Sequence, residues 1–269
     1  MTSISFPPNI LSIGERCFEK NVKLSTIDIP NSVINIRSYA FFKSGLITIN
    51  IQQNSNLTTL SSDCLSETKI TSIFIPKNVS FISTQFIRRC PVERIVIDEL
   101  NKKYTTDSKS IFSGSDNSTL LLVVHSYSGE YKVPSYVTSI DYYCFNGIIL
   151  TSIKLHENII QFSEGTFSGC NITSICIPRR VSRINKFCFS NCKNLEEITF
   201  SSDLLEIGVM AFVQCNKLKY LEFPDSLKNI EGLSFASCIS LTYIIIPGSI
   251  STIGDYSFAG CKNFGKFSI

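Results

Sequence analysis

Residues 218–238 read LKYLEFPDSLKNIEGLSFASC. Of the first six residues, the first, fourth and sixth have apolar side chains that can face one side. The third to sixth residues therefore alternate between an outward and an inward apolar position. This alternation predicts a short strand with one buried face. Pro224 follows directly, and because proline has no amide hydrogen it ends the strand pairing and turns the chain away. The rest of the segment runs through Ile230 and Phe235 to Cys238, which fits a return path to a next, parallel strand.

The same pattern recurs through the second half of the chain. A Phe closes each unit at intervals of 22, 22, 23, 23 and 23 residues, at Phe145, Phe167, Phe189, Phe212, Phe235 and Phe258. An apolar residue stands five positions before each Phe, at Ile140, Phe162, Ile184, Ile207, Ile230 and Ile253. A Cys stands three positions after the last five, at Cys170, Cys192, Cys215, Cys238 and Cys261. Several columns in phase predict a repeat solenoid.

The first half of the chain keeps this frame less strictly. Its apolar column continues through Ile13, Ile36, Leu60 and Ile82, and its Phe column through Phe18, Phe41, Leu65 and Ile87. Strand segments of the same form precede Pro30, Pro76, Pro178, Pro224 and Pro247. Counted in this way, residues 1–269 form a single solenoid of about eleven repeats of 22–23 residues.

These residues resemble the BspA-like (treponemal-class) leucine-rich repeat, whose unit is roughly Leu-x-x-Ile-x-Ile-Pro-x-x-Val-x-x-Ile-Gly-x-x-Ala-Phe-x-x-Cys. The resemblance covers nearly the whole chain and is closest from Leu150 to Cys261. It implies a leucine-rich-repeat solenoid with a curved parallel β-sheet on the concave side. The convex side is expected to hold loops, turns and short helical turns. The resemblance further implies an adhesin that attaches to host or matrix proteins, with an intracellular protein-interaction scaffold as the alternative.

One elongated, irregular repeat interrupts the frame at residues 98–133. The strand-to-strand interval from Ile97 to Val133 is 36 residues. The turn-rich run from Ser113 to Ser118 predicts a hairpin loop, and the apolar run from Leu120 to Val124 predicts an extra strand. We interpret the segment as an elaborated repeat and not as a domain boundary.

The composition argues against several classes of partner. The net charge of +3 is small and the charges are interspersed, whereas nucleic-acid binders concentrate cations on one face. No run approaches the roughly 18 consecutive apolar residues of a membrane helix, and the start of the chain lacks the features of a secretory signal. We therefore expect no nucleic-acid partner and no membrane insertion in this chain. A cell-surface or secreted location follows from the resemblance, and a cytoplasmic location is the alternative.

No residue pattern supports catalysis or a cofactor. The two histidines, His125 and His156, have no Cys or carboxylate at ligand spacing, and no glycine-rich phosphate loop occurs. The abundant Ser and Thr residues have no histidine in phase to activate them. The sequence thus predicts a non-enzymatic protein without catalytic residues, metal or cofactor.

Eleven cysteines raise the alternatives of disulfides, a metal site and buried thiols. Side chains stacked in one column point the same way, which suits a disulfide poorly, whereas free Cys is a compact residue that is often buried. We expect the Cys170–Cys261 column to be reduced and buried. Cys17, Cys64, Cys144 and Cys188 stand where the family pattern has a small residue and are also expected to pack inside.

The exposed face of the predicted sheet is the candidate binding surface. Most outward positions are small or polar, but large side chains gather towards the C-terminal end, where Tyr220, Tyr243 and Ile245 are expected to be neighbours. The charged side chains expected around them are Glu197, Glu222 and Lys266. Aromatic residues with a charged rim are typical of a protein-binding hot spot, although Tyr also simply favours strands.

The two ends of the chain carry no polar capping segment. Solenoids normally need caps, because an uncovered terminal repeat exposes core and strand edge. We therefore expect either a homodimer joined through a terminal repeat or a longer natural protein.

Overall fold

The computed structural model describes residues 3–262 and the backbone of residues 266–268. Within these ranges the chain forms 25 strands and no helix. It divides into two compact units, Met1–Tyr127 and Ser128–Ile269. Each unit is a stack of turns joined by parallel strands, as the repeat predicts.

In the first unit, two-residue strands alternate along the chain with four-residue strands from β2 to β9. Its strands are β1 (Ser3–Ile4), β2 (Ser12–Ile13), β3 (Thr26–Ile29), β4 (Asn35–Ile36), β5 (Thr48–Ile51), β6 (Thr59–Leu60), β7 (Ser72–Ile75), β8 (Phe81–Ile82), β9 (Arg94–Ile97), β10 (Tyr104–Thr106), β11 (Ser110–Ser113) and β12 (Thr119–Val123). Two parallel sheets have the strand orders β1-β3-β5 and β7-β9. The short strands form another parallel sheet with the order β2-β4-β6-β8. The register is set by the buried column, so Ile27 lies beside Ile49 and both face the core.

The second unit repeats this arrangement. Its strands are β13 (Ser128–Lys132), β14 (Ser139–Ile140), β15 (Ile149–Lys154), β16 (Gln161–Phe162), β17 (Ser174–Cys176), β18 (Arg183–Ile184), β19 (Glu197–Thr199), β20 (Glu206–Ile207), β21 (Tyr220–Glu222), β22 (Asn229–Ile230), β23 (Tyr243–Ile245), β24 (Thr252–Ile253) and β25 (Lys266–Ser268). The pairs β13-β15 and β17-β19 and the triplet β21-β23-β25 form the long-strand face. The short strands β18-β20-β22-β24 form one sheet on the other side of the core.

The segments around each Phe are hydrogen-bonded turns, and the expectation of short helical turns was wrong for the described residues. Residues four positions apart adopt positive φ in these turns, as at Gly165 (64°) and Gly169 (68°). Amides in these turns do not continue a helix because they donate hydrogen bonds to carbonyls of the next turn instead. The amide of Gly165 donates to the carbonyl of Lys186, and that of Phe167 to Cys188. The turns thus form a third ladder along the stack.

The Phe column fills the core beneath this ladder. Phe145, Phe167, Phe189, Phe212, Phe235 and Phe258 stack successively with ring centroids 5.0–5.4 Å apart and planes within 10° of parallel. The centroid distance is slightly larger than the spacing of adjacent strands, which is the geometry of an offset stack. The first five of these rings are fully buried, so the column confirms the sequence prediction.

The cysteine column has a structural role that the sequence pattern did not specify. Each thiol donates a hydrogen bond of 3.1–3.2 Å to the carbonyl of the Phe one turn earlier, from Cys170, Cys192, Cys215, Cys238 and Cys261 to Phe145, Phe167, Phe189, Phe212 and Phe235. Burial raises the pKa of the Cys192 thiol to about 12. It also raises the pKa values of the Cys170 and Cys215 thiols. The thiols therefore keep the proton that they donate.

All eleven cysteines are free, and the prediction of burial holds for most of them. The four members Cys170, Cys192, Cys215 and Cys238 are buried, as are Cys64, Cys90, Cys144 and Cys188. Cys17 is exposed and Cys261 is half-buried, contrary to expectation. Cys17 lies in the first turn of its column, and Cys261 lies in the last turn of its column.

The irregular repeat contains the predicted hairpin. β11 and β12 pair antiparallel around the loop that includes Gly114, and β10 adds a further antiparallel strand that the sequence did not predict. Asn101 explains how the segment attaches to the preceding turn. Its side-chain amide donates to the carbonyls of Pro76 and Val79, and its oxygen accepts the amide of Tyr104.

Candidate functional site

Two tyrosines lie side by side on the exposed long-strand face of the second unit. Parallel in-register strands place residues 23 positions apart next to each other, so Tyr220 of β21 lies beside Tyr243 of β23. Their rings are stacked, with centroids 5.4 Å apart and planes at 5°. Tyr220 is 43% exposed and Tyr243 is half-buried. The pair is therefore an ordered aromatic surface with one ring open to solvent.

A carboxylate is bound to the outer edge of this pair. The Tyr220 hydroxyl donates a 2.7 Å hydrogen bond to Oε2 of Glu222, two residues along the same strand. This hydrogen bond raises the pKa of Tyr220 to about 12, so the phenol is neutral at physiological pH. Ile245 of β23 lies opposite Glu222 and is half-buried. The site thus combines an aromatic face, a fixed negative charge and an adjacent apolar side chain.

A cleft of about 740 Å³ opens beside Tyr220, and we call it the Tyr220 cleft. Most residues in the ranges 196–202 and 219–225, from two successive turns, line it. Tyr243 is not among the lining residues, so the cleft lies on the opposite side of Tyr220 from its stacked partner.

The structure places the predicted site residues unequally. It brings Tyr220, Tyr243 and Glu222 together, and it places exposed Glu197 in the wall of the Tyr220 cleft. The backbone of Lys266 lies opposite Tyr243 on β25, but the Lys266 side chain lies outside the described residues. The assignment of these residues to protein binding stays a prediction.

Sequence reasoning missed several residues that line the cleft. Glu196 and Phe200 flank β19 and Asp225 follows β21 by three residues, so none of them occupies an outward-facing strand position. The only signal for these residues in the sequence is a position near the end of a strand, and many residues share such a position.

A second apolar surface occurs in the first unit. Phe74 of β7 lies beside Val96 of β9 on the long-strand face, next to a shallow cleft that also contacts Leu100. Val96 is exposed and Leu100 is 67% exposed. Phe74 and Val96 are large apolar residues at outward strand positions, which was a readable signal for this surface.

The described residues show no arrangement suited to metal binding. Among them, no group of three or more His, Cys, Asp or Glu side chains could hold a metal ion. His156 has a local structural role, since its Nε2 is 2.9 Å from the carbonyl of Pro134 and its Nδ1 accepts the amide of Asn158. Within the described part of the chain, no helix is long and apolar enough to cross a membrane.

Comparison with known proteins connects this architecture to a family. The model of the BspA type leucine rich repeat region matches the chain in 6 copies, over residues 1–119, 127–238 and 196–269. Among curated proteins, none matches the sequence.

Solved structures share the fold at low sequence identity. A leucine-rich repeat protein from Eubacterium ventriosum is 19% identical, with 97% of this chain and 82% of that chain covered and a TM-score of 0.76. A leucine rich cell surface protein from Faecalibacterium prausnitzii is 23% identical, with 94% and 61% covered and a TM-score of 0.64. The pneumococcal vaccine antigen PcpA is 18% identical, with 90% and 58% covered and a TM-score of 0.58. The chain thus spans less than two thirds of the last two proteins, and the likeness shows the fold alone.

Proposed function

Because the chain belongs to the BspA-type leucine-rich-repeat family, we propose that it is a non-enzymatic protein-binding solenoid that acts as an adhesin for host or matrix proteins. A cell-surface or secreted location is part of this proposal. It is supported by the solved relatives that are described as a cell surface protein and as a vaccine antigen. The alternative is an intracellular interaction scaffold.

The observation that carries the proposal is the stacked pair of Tyr220 and Tyr243 on the exposed face. Binding energy in protein interfaces concentrates in a few residues, and Tyr is among the most frequent of them. A ring that is already stacked loses little rotamer freedom on binding, so more of the contact energy is retained. Ile245, Glu222, Glu197 and Lys266 complete the proposed site.

The test is an alanine scan of the long-strand face against immobilised matrix proteins such as fibronectin, laminin and collagen. Tyr220→Ala or Tyr243→Ala should weaken binding by on the order of 2 kcal/mol, about thirtyfold. Thr48→Ala, an exposed residue of β5, is the matched control and should change the affinity little. Equal small effects at all positions would show that the tyrosine pair is not the binding site.

Antibody labelling of intact source cells separates the two locations. Labelling without permeabilisation is expected for a surface adhesin. Labelling that needs permeabilisation would favour the intracellular scaffold instead.

Self-association through a terminal repeat is a further part of the proposal. Ile253 of β24 is 47% exposed, whereas its counterparts Ile207 and Ile230 in the preceding turns are fully buried. A second copy of the chain packed on this turn would cover that apolar surface. Sedimentation over a range of concentrations should then show a dimer that Ile253→Asp dissociates, and a monomer at all concentrations would contradict it.

A further inference from the structure

The charges around the Tyr220 cleft are unbalanced. Among the described residues that line it, four carry carboxylates, Glu196, Glu197, Glu222 and Asp225, and one carries a cation, Lys219. That cation is already engaged, because Nζ of Lys219 lies 3.7 Å from Oε2 of Glu196. Among the residues that the structure describes, no Lys or Arg forms an ion pair with Glu197, Glu222 or Asp225. The cleft therefore presents three carboxylates without a cationic partner in the described chain.

One face of an aromatic ring borders this negative cleft. Tyr243 covers the far face of the Tyr220 ring, and the near face lines the cleft. The face of an aromatic ring carries the negative end of its quadrupole and attracts a cation within about 6 Å of the centroid. Since the Tyr220 hydroxyl donates to Glu222, the ring and this carboxylate act on the same side of the cleft.

The cleft also offers apolar contact for an alkyl chain. Phe200 is half-buried and Phe223 is buried, and their ring centroids lie 5.4 Å apart in its wall. Lys and Arg side chains pack their methylene stems along such surface while the charged end stays near carboxylates or water. The combination fits a long cationic side chain better than a small inorganic ion.

We propose that the Tyr220 cleft binds a Lys or Arg side chain presented by the protein partner. The charged group lies over the near face of Tyr220, between Glu197 and Glu222, and its stem contacts Phe200. The inference rests on the proposed protein-binding function and adds the chemistry of the partner at this site. It also implies that acidic segments are excluded from the cleft by charge repulsion.

The test uses a fluorescein-labelled heptalysine peptide with blocked ends and the full chain, with fluorescence anisotropy at about 0.1 M salt, where the Debye length is about 10 Å, as the measurement. Heptaglutamate is the matched probe and should not bind. Glu197→Gln and Tyr220→Leu should each weaken heptalysine binding roughly fivefold, because each removes one source of attraction for the cation. Tyr220→Phe keeps the ring face and should therefore weaken heptalysine binding less than Tyr220→Leu does.

The control variant is Asp255→Asn, which removes one exposed carboxylate from the same unit away from the cleft. Its effect should stay below about twofold, since exposed charges beyond a Debye length are screened. Circular dichroism checks that each variant is folded. Equal losses in Asp255→Asn and Glu197→Gln, unchanged binding by Tyr220→Leu, or no binding of heptalysine would each overturn the inference.

Competition between heptalysine and a matrix protein distinguishes a failure of the cation site from a failure of the protein-binding function. If Tyr220→Ala abolishes binding to a matrix protein but heptalysine does not compete for it, the protein-binding function stands and the cation site is wrong. If heptalysine competes with the matrix protein and Glu197→Gln weakens both, the two proposals hold together.

Discussion

At the scale of single residues, the thiols show how one side chain serves two needs of the core. A Cys at this position fills a small apolar space and supplies a donor to the Phe carbonyl one turn earlier, as from Cys192 to Phe167. A buried carbonyl with unused acceptor capacity gains from such a bond even when the donor is weak. The column is therefore explained by packing and hydrogen bonding, without a disulfide.

The raised thiol pKa values predict a loss of stability in alkaline solution. An unfolded thiol ionises near its ordinary pKa of 9.0, whereas the pKa of Cys192 in the fold is about 12. Between these values the unfolded chain binds fewer protons, so the stabilisation is complete below the lower value and is lost as the pH rises. Each such thiol should lower the free energy of unfolding by about 1.4 kcal/mol per pH unit in this window.

Urea unfolding between about pH 8 and pH 11 measures this slope. Cys192→Ala removes one ionising group, so its slope should be shallower than that of the native chain by the amount for one thiol. Cys17→Ala removes an exposed thiol and is the matched control. Identical slopes for the native chain and both variants would contradict the assignment.

Positive φ in the turns gives a second prediction for single residues. Gly169 has φ of 68°, and a Cβ added there would meet only ordinary contacts at 3.6 Å. Gly169→Ala should therefore cost about 1–2 kcal/mol through backbone strain alone. Gln214 adopts φ of 61° at the equivalent position, so Gln214→Gly should be neutral or slightly stabilising. Thermal unfolding of both variants tests the pair, and equal destabilisation would exclude strain as the cause.

At the scale of elements, the stacked phenylalanines connect one turn to the next. Phe235 contacts Phe212 on one side and Phe258 on the other, with centroids at 5.0 and 5.3 Å. Its removal leaves a cavity between two rings that the backbone ladder holds at a fixed spacing. The core cannot close around such a cavity without breaking inter-turn hydrogen bonds.

Phe235→Ala should accordingly lower the free energy of unfolding by about 3–5 kcal/mol. Phe235→Leu keeps most of the volume and should cost less. Leu205→Ala, at an apolar residue that is 48% exposed, should stay within about 0.5 kcal/mol of the native chain. Chemical denaturation measures all three, and a small effect of Phe235→Ala would show that the turn collapses around the cavity.

At the scale of the whole molecule, a destabilising change in one turn is expected to affect the adjacent turns most, because each turn of a solenoid contacts only adjacent turns. In the second unit the amide of Gln214 bonds to Ala236 and that of Ser237 to Ala259, both beside the Phe235 ring. The amide of Tyr143, bonded to Glu164, lies several turns away.

Phe235→Ala should therefore reduce hydrogen-exchange protection most in the turns of Gln214 and Ser237 and least at Tyr143. Exchange followed by mass spectrometry at peptide resolution measures this gradient. A uniform loss across residues 128–262 would mean that the second unit opens as one cooperative body.

What the sequence determined by itself is the repeat and its buried columns. Every turn packs against turns of the same kind on both sides. The same residue types therefore recur at the repeat positions of Ile230, Phe235 and Cys238, and the repeat period alone reveals them. Tertiary structure decided what depends on contacts between turns. The turns around Phe167 bond to their neighbours instead of forming helices, and Glu196 and Asp225 meet at one cleft although 29 positions separate them. A local pattern does not encode these contacts, because they form only when successive turns stack.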